Sequence, residues 1–322
     1  MFGYIGLCAF KAAEMPRKRR KIMFEYGYEA VKHMTDRRSI RNFIDKKIPD
    51  EDLKLILEAG LKAATGGNLQ PYSIIVERDK EKNKELSKMC GGQPFIEHAD
   101  TNLIFVFDWY KYSIYAKQKN APFNNRKIYM HFLIAIEDVM CAAQTIETAA
   151  HMLGIGSCYV GSSNSCGKEI IDAYGMPKLT YPVVILSLGY AAEKLPPKAP
   201  KMPYDMMVFE GKYRQFTEEE IYEGFEAKYA GKILELPKKE EFLEERLTQF
   251  RNALLTTYDE EKVNEIVEQA RKDGFINETQ RRFGLHYRAD VMYTGGKEII
   301  KMMKDQGLEN FMAAGEIYNE DK

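Results

Sequence analysis

Three short runs constrain this chain more than anything else in it. Residues 72–76, 103–107 and 183–188 are each almost uninterrupted in β-branched, aromatic and aliphatic side chains. A strand with one face in water alternates polar and apolar residues, so runs like these belong to strands covered on both faces. Between the last two lies one long helical stretch, roughly residues 128–153, that is apolar on most of its circumference. Ile134, Val139, Ala142, Ala143, Ile146, Ala149 and Ala150 populate it, and Gly154 ends it. Such a helix is expected to be buried, in a core or at an interface between two copies of the chain. A shorter helix is expected from Pro49 onward. Asp50 is its candidate N-cap, Glu51 and Asp52 suit its first turn, and Leu53, Ile56, Leu57, Leu61 and Ala64 recur at helical spacing. It should stop at Thr65-Gly66-Gly67-Asn68, a loop signal.

With 322 residues, 45% of them hydrophobic, the chain can bury one sizeable domain and carry an appendage. We divide it into an N-terminal arm (1–23), a core (24–213) and a helical extension (214–322). The extension is expected because segments near 217–229, 238–256, 259–273 and 295–306 are charged and helix-favouring, with few strand signals. The formal charge of −1 argues against a general nucleic-acid binder. The arm's basic run, Arg17 to Lys21, reads either as a solvated arm or as a nucleic-acid or targeting patch. No apolar stretch approaches the roughly 18 residues of a membrane helix. At the N-terminus the apolar residues precede the basic ones, the reverse of a secretory signal, so the expected compartment is the cytoplasm. Cys8, Cys90, Cys141, Cys158 and Cys166 form no CxxC, which points to reduced thiols and no metal site.

Arg37-Arg38-Ser39-Ile40-Arg41-Asn42-Phe43 is the densest chemical signal, with three guanidiniums and a hydroxyl in five residues. Arginine pairs bidentately with phosphate, and Ser39 can add a hydrogen bond, while Ile40 and Phe43 anchor the segment. An exposed basic turn is the competing reading. Thr65-Gly66-Gly67-Asn68-Leu69-Gln70 offers paired glycines for close backbone approach and amides that suit a heterocycle edge, or else it is an ordinary loop. Gly91-Gly92-Gln93 repeats that chemistry. The run 154–162 follows a helix instead of preceding one, so it is no dinucleotide fingerprint. Lys198 and Lys201 lie in a proline-rich basic stretch and are phosphate candidates or simply solvated. No nucleophile elbow, P-loop or HExxH is present, and His33, His98, His131, His151 and His286 are scattered. An enzyme built from these residues needs a cofactor to supply its chemistry.

Taken together and in this order, the segments resemble the nitroreductase superfamily of FMN-dependent oxidoreductases. RRSIRNF resembles its phosphate- and flavin-binding segment, and ATGGNLQPYSIIV its loop leading into a strand. LGIGSCYVGS followed by PVVILSLGY is similar to its glycine turn and last core strand. GGQ at 91–93 and the tail GGKEIIKMMKDQGLENF look closer to the larger, NADPH-preferring branch of nitroreductases and flavin reductases. The resemblance implies an α+β sandwich, a central, mostly antiparallel sheet wrapped by helices, and a homodimer with FMN at the interface. It also implies that Arg37 and Ser39 hold the FMN phosphate with Arg38 beside it, and that Arg41 faces the pyrimidine edge. Thr65, Asn68 and Gln70 would contact the flavin, in many members from the partner chain. Gln93 would bond the ring or ribityl chain, Val160, Gly161 and Ser162 would supply backbone near N5, and Lys201 would close the phosphate site.

The chain departs from the family pattern in length, at the N-terminal arm and near residues 230–280, and at three places within the motifs. Tyr72 stands for a common tryptophan, Lys201 for an arginine, and Asn164-Ser165-Cys166 lacks a basic residue often found in the larger branch. The implied activity is hydride transfer from NADPH or NADH through flavin N5 to a small electron-poor acceptor: a nitroaromatic, a quinone, a flavin or an activated alkene. Alternatives within reach of the same residues are a non-catalytic flavin-binding or docking protein, a dehalogenase, or a flavin-fragmenting enzyme. Neither a nucleic acid nor a membrane is an expected partner.

Overall fold

The computed structural model describes residues 17–192, 194–229 and 231–310, and residues 17–25 by their backbone alone. The chain divides into a first unit, residues up to 198 together with those from 302, and a second unit, 199–301. Of the expected N-terminal arm, residues 1–16 and Cys8 with them lie outside the described residues, and residues 17–23 are the first turns of a helix.

The first unit runs α1 (Arg17–Met34), α2 (Asp50–Gly60), β1 (Tyr72–Glu77), α3 (Lys80–Met89), α4 (Pro94–His98), β2 (Thr101–Asp108), α5 (Tyr110–Gln118), α6 (Tyr129–Met152), β3 (Gly156–Val160), α7 (Gly167–Ala173) and β4 (Thr180–Gly189). Its sheet has the order β1-β2-β4-β3, and every pair in it is antiparallel. β2 is buried at every position, which is why its sequence does not alternate. Leu103 and Phe105 enter one cluster with Leu53 and Ile56 of α2 and with Val139, Ala142 and Ile146 of α6. Ile104 and Val106 enter the other, with Leu86 of α3, Ile96 of α4 and Ile170 of α7. The expected α+β sandwich, helices on both faces of an antiparallel sheet, is the fold observed.

Four local expectations are refined. β4 begins at Thr180, three residues earlier than its apolar run, and includes Pro182 beside an irregularity in which Phe105 pairs with Val184 and Val106 with Pro182, so that Val183 has no partner on β2. β3 is a strand within what reads as a glycine turn, its five residues made visible by pairing Cys158 with Ser187 of β4. Pro49, not Asp50, occupies the N-cap of α2 and makes no side-chain cap, while the Asp50 carboxylate accepts from Arg78 Nη1 at 2.6 Å instead. α6 buries only a stripe, including Ala135, Val139, Ala142, Ala143, Ile146 and Ala150, and leaves Met130, Leu133 and Met140 exposed along another.

The second unit runs α8 (Glu218–Tyr229), β5 (Ile233–Glu235), α9 (Glu240–Leu254), α10 (Glu260–Asp273), β6 (Phe275–Asn277), α11 (Glu278–Arg281) and α12 (Ala289–Asp305), the last ending in the first unit. Its core joins Leu236, Leu247, Phe250, Val263, Val267, Ala270 and Ile276. The antiparallel pair β5–β6, three residues per strand, escapes a reading based on periodicity because neither strand is long enough to show one. No helix among the described residues is long and apolar enough to cross a membrane.

Candidate functional site

The arginine segment leaves the C-terminal end of α1 and runs extended along β3. Ser39 forms a parallel bridge with Ser157, and the Ile40 amide donates to the Ser157 carbonyl at 2.8 Å. Ile40 and Phe43 are buried anchors, as their apolar side chains require. Two glycines permit this docking: a Cβ at Gly156 would stand 2.9 Å from Ile40 Cγ1, and one at Gly189 2.8 Å from Phe43 Cδ1.

The three guanidiniums have different surroundings. Arg37 Nη1 donates to Glu147 Oε1 at 3.1 Å. Arg38 Nη1 donates to the Pro196 carbonyl at 2.9 Å, and the side chain lines a cavity of about 290 Å³ with His33, Ile40, His151 and Gly156. Arg41 is exposed, its guanidinium 5.9 Å from the centre of the Phe95 ring. At the start of the segment Asp36 pairs with Lys198, whose ammonium holds the carboxyl below its usual range.

Phe95 leads to the second group of residues. Gln93 immediately precedes α4, and its Nε2 donates to Ser162 Oγ at 2.9 Å and to the Cys90 carbonyl at 3.0 Å. Ser162 Oγ donates to that same carbonyl at 3.2 Å, and the Cys90 and Cys166 sulfurs lie 3.5 Å apart beneath. Val160 is buried at the end of β3, whereas Gly161 is exposed and a side chain there would meet open space. Burial pushes the Cys158 thiol and the Tyr159 hydroxyl upward, so both stay protonated at neutral pH. Residues 37–41, 93–95 and 157–162, far apart in sequence, thus meet at one edge of the sheet.

The loop 65–70 is held elsewhere. The Gly66 amide donates to Asp138 Oδ1 of α6 at 2.8 Å, Gln70 Nε2 to the Leu61 carbonyl at 3.0 Å, and the Gln70 amide to Thr65 Oγ1 at 3.3 Å. Asn68 and Gln70 have φ of 57° and 49°, a left-handed conformation that costs a non-glycine residue energy and tends to collect at functional sites. Among the described residues no hydrogen bond joins this loop to the arginine segment. Lys201 is exposed in the second unit.

Sequence reading passed over Glu147 and Asp138, while Lys198, a phosphate candidate by sequence, is paired with Asp36. Glu147 left a signal, for it stands with Ala143, Ile146 and Ala150 on the buried stripe of α6, where a carboxylate has no reason to be unless something binds it.

A sheet of this topology is that of known oxidoreductases. A solved structure of a putative oxidoreductase from Bacteroides fragilis superposes with a TM-score of 0.68 at 27% identity, covering 87% of this chain and 100% of that one. The NADPH:FMN oxidoreductase from Vibrio harveyi, solved as a complex with NAD+, superposes with a TM-score of 0.56 at 26% identity, over 62% of this chain and 86% of that one. In sequence, an FMN reductase (NAD(P)H) of Bacillus subtilis is 31% identical over 182 residues, which are 55% of this chain and 71% of the relative. Residues 34–190 match the profile of the nitroreductase family. The chain belongs to the nitroreductase family and is an oxidoreductase by that membership.

Proposed function

We propose that the protein is an FMN-dependent oxidoreductase that takes hydride from NADPH or NADH and delivers it to a small electron-poor acceptor. The observation that carries this reading is the meeting of Arg41, Gln93 and the 160–162 backbone at one sheet edge with Arg37 and Ser39. The residues fit the cofactor. The Ser39 hydroxyl and the Arg41 guanidinium have no hydrogen-bond partner among the described residues, and Gly161 leaves room for a flat ring to lie against backbone.

When bound, FMN would supply the redox chemistry, two-electron transfer between the nicotinamide donor and a second substrate that binds in the donor's place, a ping-pong cycle. The chain's own part is binding and electrostatics. Arg37 and Ser39, with Arg38 beside them, would hold the phosphate. Arg41 places positive charge at the pyrimidine edge, which favours acceptance of electrons by the ring. Gln93 orients the ring or the ribityl chain, and Val160, Gly161 and Ser162 present backbone near N5. Thr65, Asn68 and Gln70 serve the second site of a homodimer. Residues 24–213 form the flavin-binding core, residues 214–322 are its helical extension, and the compartment is the cytoplasm. Nitroaromatics, quinones, free flavin and activated alkenes are the acceptor classes this site admits.

The test is an absorption spectrum of the purified protein, then anaerobic addition of NADPH or NADH, then of a quinone or nitroaromatic. The expected result is an oxidised-flavin spectrum that bleaches with the nicotinamide and recovers with the acceptor. Protein that stays colourless with added FMN overturns the cofactor assignment, and bleached protein that no acceptor reoxidises overturns the cycle.

A further inference from the structure

Glu147 has no solvent exposure at all, and it sits on the buried stripe of α6, which is otherwise alanine, valine and isoleucine apart from Asp138 nearer the start of the helix. A carboxylate in such a place needs its oxygens satisfied, since stranding one from water and from donors costs several kcal/mol, on the order of a whole buried hydrogen-bond network. Three donors meet that need. Arg37 Nη1 reaches Oε1 at 3.1 Å, Ser157 Oγ reaches the same oxygen at 2.7 Å, and Gln144 Nε2 reaches Oε2 at 2.8 Å. Ser157 is the residue on β3 whose backbone bridges Ser39 and accepts from the Ile40 amide. One carboxylate therefore ties α6, β3 and the arginine segment together at a single point.

Arg37 gains from this arrangement. Its side chain is one-third exposed (33%) while that of Glu147 is sealed (1%), and only Nη1 is committed. A free arginine samples many rotamers and must give them up to bind an anion, whereas a guanidinium already fixed on one edge presents its remaining N–H groups at no further entropic cost.

We propose that Glu147 is a positioning residue for phosphate recognition, holding Arg37 in the orientation that captures the phosphate of FMN. The proposal rests on the reading of Arg37 as a phosphate ligand. Glu147 also cancels the charge of Arg37, so its removal has two opposed effects: loss of orientation weakens phosphate binding, and loss of a nearby negative charge strengthens it. The first dominates, because the hydrogen bonds act at contact distance while the Coulomb effect on a phosphate beyond the partly exposed guanidinium is screened by solvent.

The experiment compares FMN with riboflavin, which has the same ring and ribityl chain and no phosphate. Apo protein is titrated with each by fluorescence quenching, for the wild type, Glu147→Gln, Ser157→Ala and Arg37→Ala. Glu147→Gln keeps the volume of the buried side chain, and Ser157→Ala keeps its charge while removing one tether, so either variant can stand in if the other does not fold. We expect Glu147→Gln to lower FMN affinity about tenfold, the scale of a hydrogen bond to a charged group, and Ser157→Ala to lower it less, with riboflavin affinity unchanged in both. Equal losses for FMN and riboflavin would mean that Glu147 supports the fold alone, and tighter FMN binding would mean that it acts as a counter-charge. Either result overturns the proposal. Arg37→Ala separates the two layers of the argument: if it leaves the preference for FMN over riboflavin intact, the assignment of Arg37 to the phosphate fails whatever Glu147 does.

Discussion

Gln93 and Ser162, far apart in the chain, are joined side chain to side chain at 2.9 Å, and both bond the same carbonyl, that of Cys90. This shared anchor means that neither can move without the other, so the turn before α4 and the turn after β3 behave as one ledge. Gln93 spends its amide N–H groups on that ledge and keeps its carbonyl oxygen for a ligand. Replacing Gln93 with alanine should weaken FMN and riboflavin alike, by about five- to tenfold, the loss of about one net hydrogen bond. Titration of both flavins checks this, and a loss confined to FMN would place Gln93 at the phosphate instead.

The exposed apolar row of α6, with Met130, Leu133 and Met140, is the surface we assign to the proposed homodimer. A charge in its middle has to be desolvated for two copies to meet. Leu133→Asp is expected to shift the protein from dimer to monomer in sedimentation equilibrium and to abolish flavin binding, because loop 65–70 would no longer reach a partner's site. A Leu133→Asp dimer with flavin at full occupancy would move the interface elsewhere.

Gly60 ends α2 where it crosses α6, and a Cβ there would stand 2.3 Å from Ile146 Cγ1 and 3.2 Å from the Ala142 carbonyl oxygen. The Ile146 side chain is fully buried and has nowhere to retreat. Gly60→Ala should therefore cost about 1–3 kcal/mol through overpacking. Urea unfolding would show a lower midpoint at unchanged slope, and an unaltered midpoint would mean that the two helices separate without cost.

In the second unit, Glu278 accepts from Arg281 Nε at 2.6 Å and Nη2 at 2.8 Å, with Arg282 Nη2 at 2.9 Å. The hydrogen bond from Arg281 chiefly, then the charges of both arginines, hold its carboxyl at about 2 against an ordinary 4.5. A carboxyl whose folded value is depressed stabilises the fold fully above its unfolded value, and that contribution disappears as pH falls through the folded one. Glu278→Gln should therefore lower the Tm at neutral pH, with the gap to wild type closing as pH falls from about 5 toward about 2. A gap that does not vary with pH would assign the effect to packing.

Much of this protein was legible before any coordinates. Strand runs 72–76, 103–107 and 183–188 and the helix near 128–153 are long and apolar enough that local pattern and tertiary packing agree, so β1, β2, β4 and α6 fall where the sequence puts them. The motif order also identified the family, because the arginine segment, the glycine-amide loop and the turn after α6 are contiguous in sequence. Other features exist only once the chain has folded. β3 is five residues long and becomes a strand by pairing with β4, and β5 and β6 are shorter still. Pro182 sits inside β4 next to a register shift that leaves Val183 unpaired with β2, an irregularity that no local pattern announces. The exposure of one side of α6 depends on where the sheet and α2 stop covering it, which periodicity cannot state. Most of all, the partnership of Arg37 with Glu147 joins positions that no local pattern relates. A cluster of guanidiniums can be read from its own residues, but the carboxylate that bonds Arg37 is one that only the packing of α6 against β3 brings within reach.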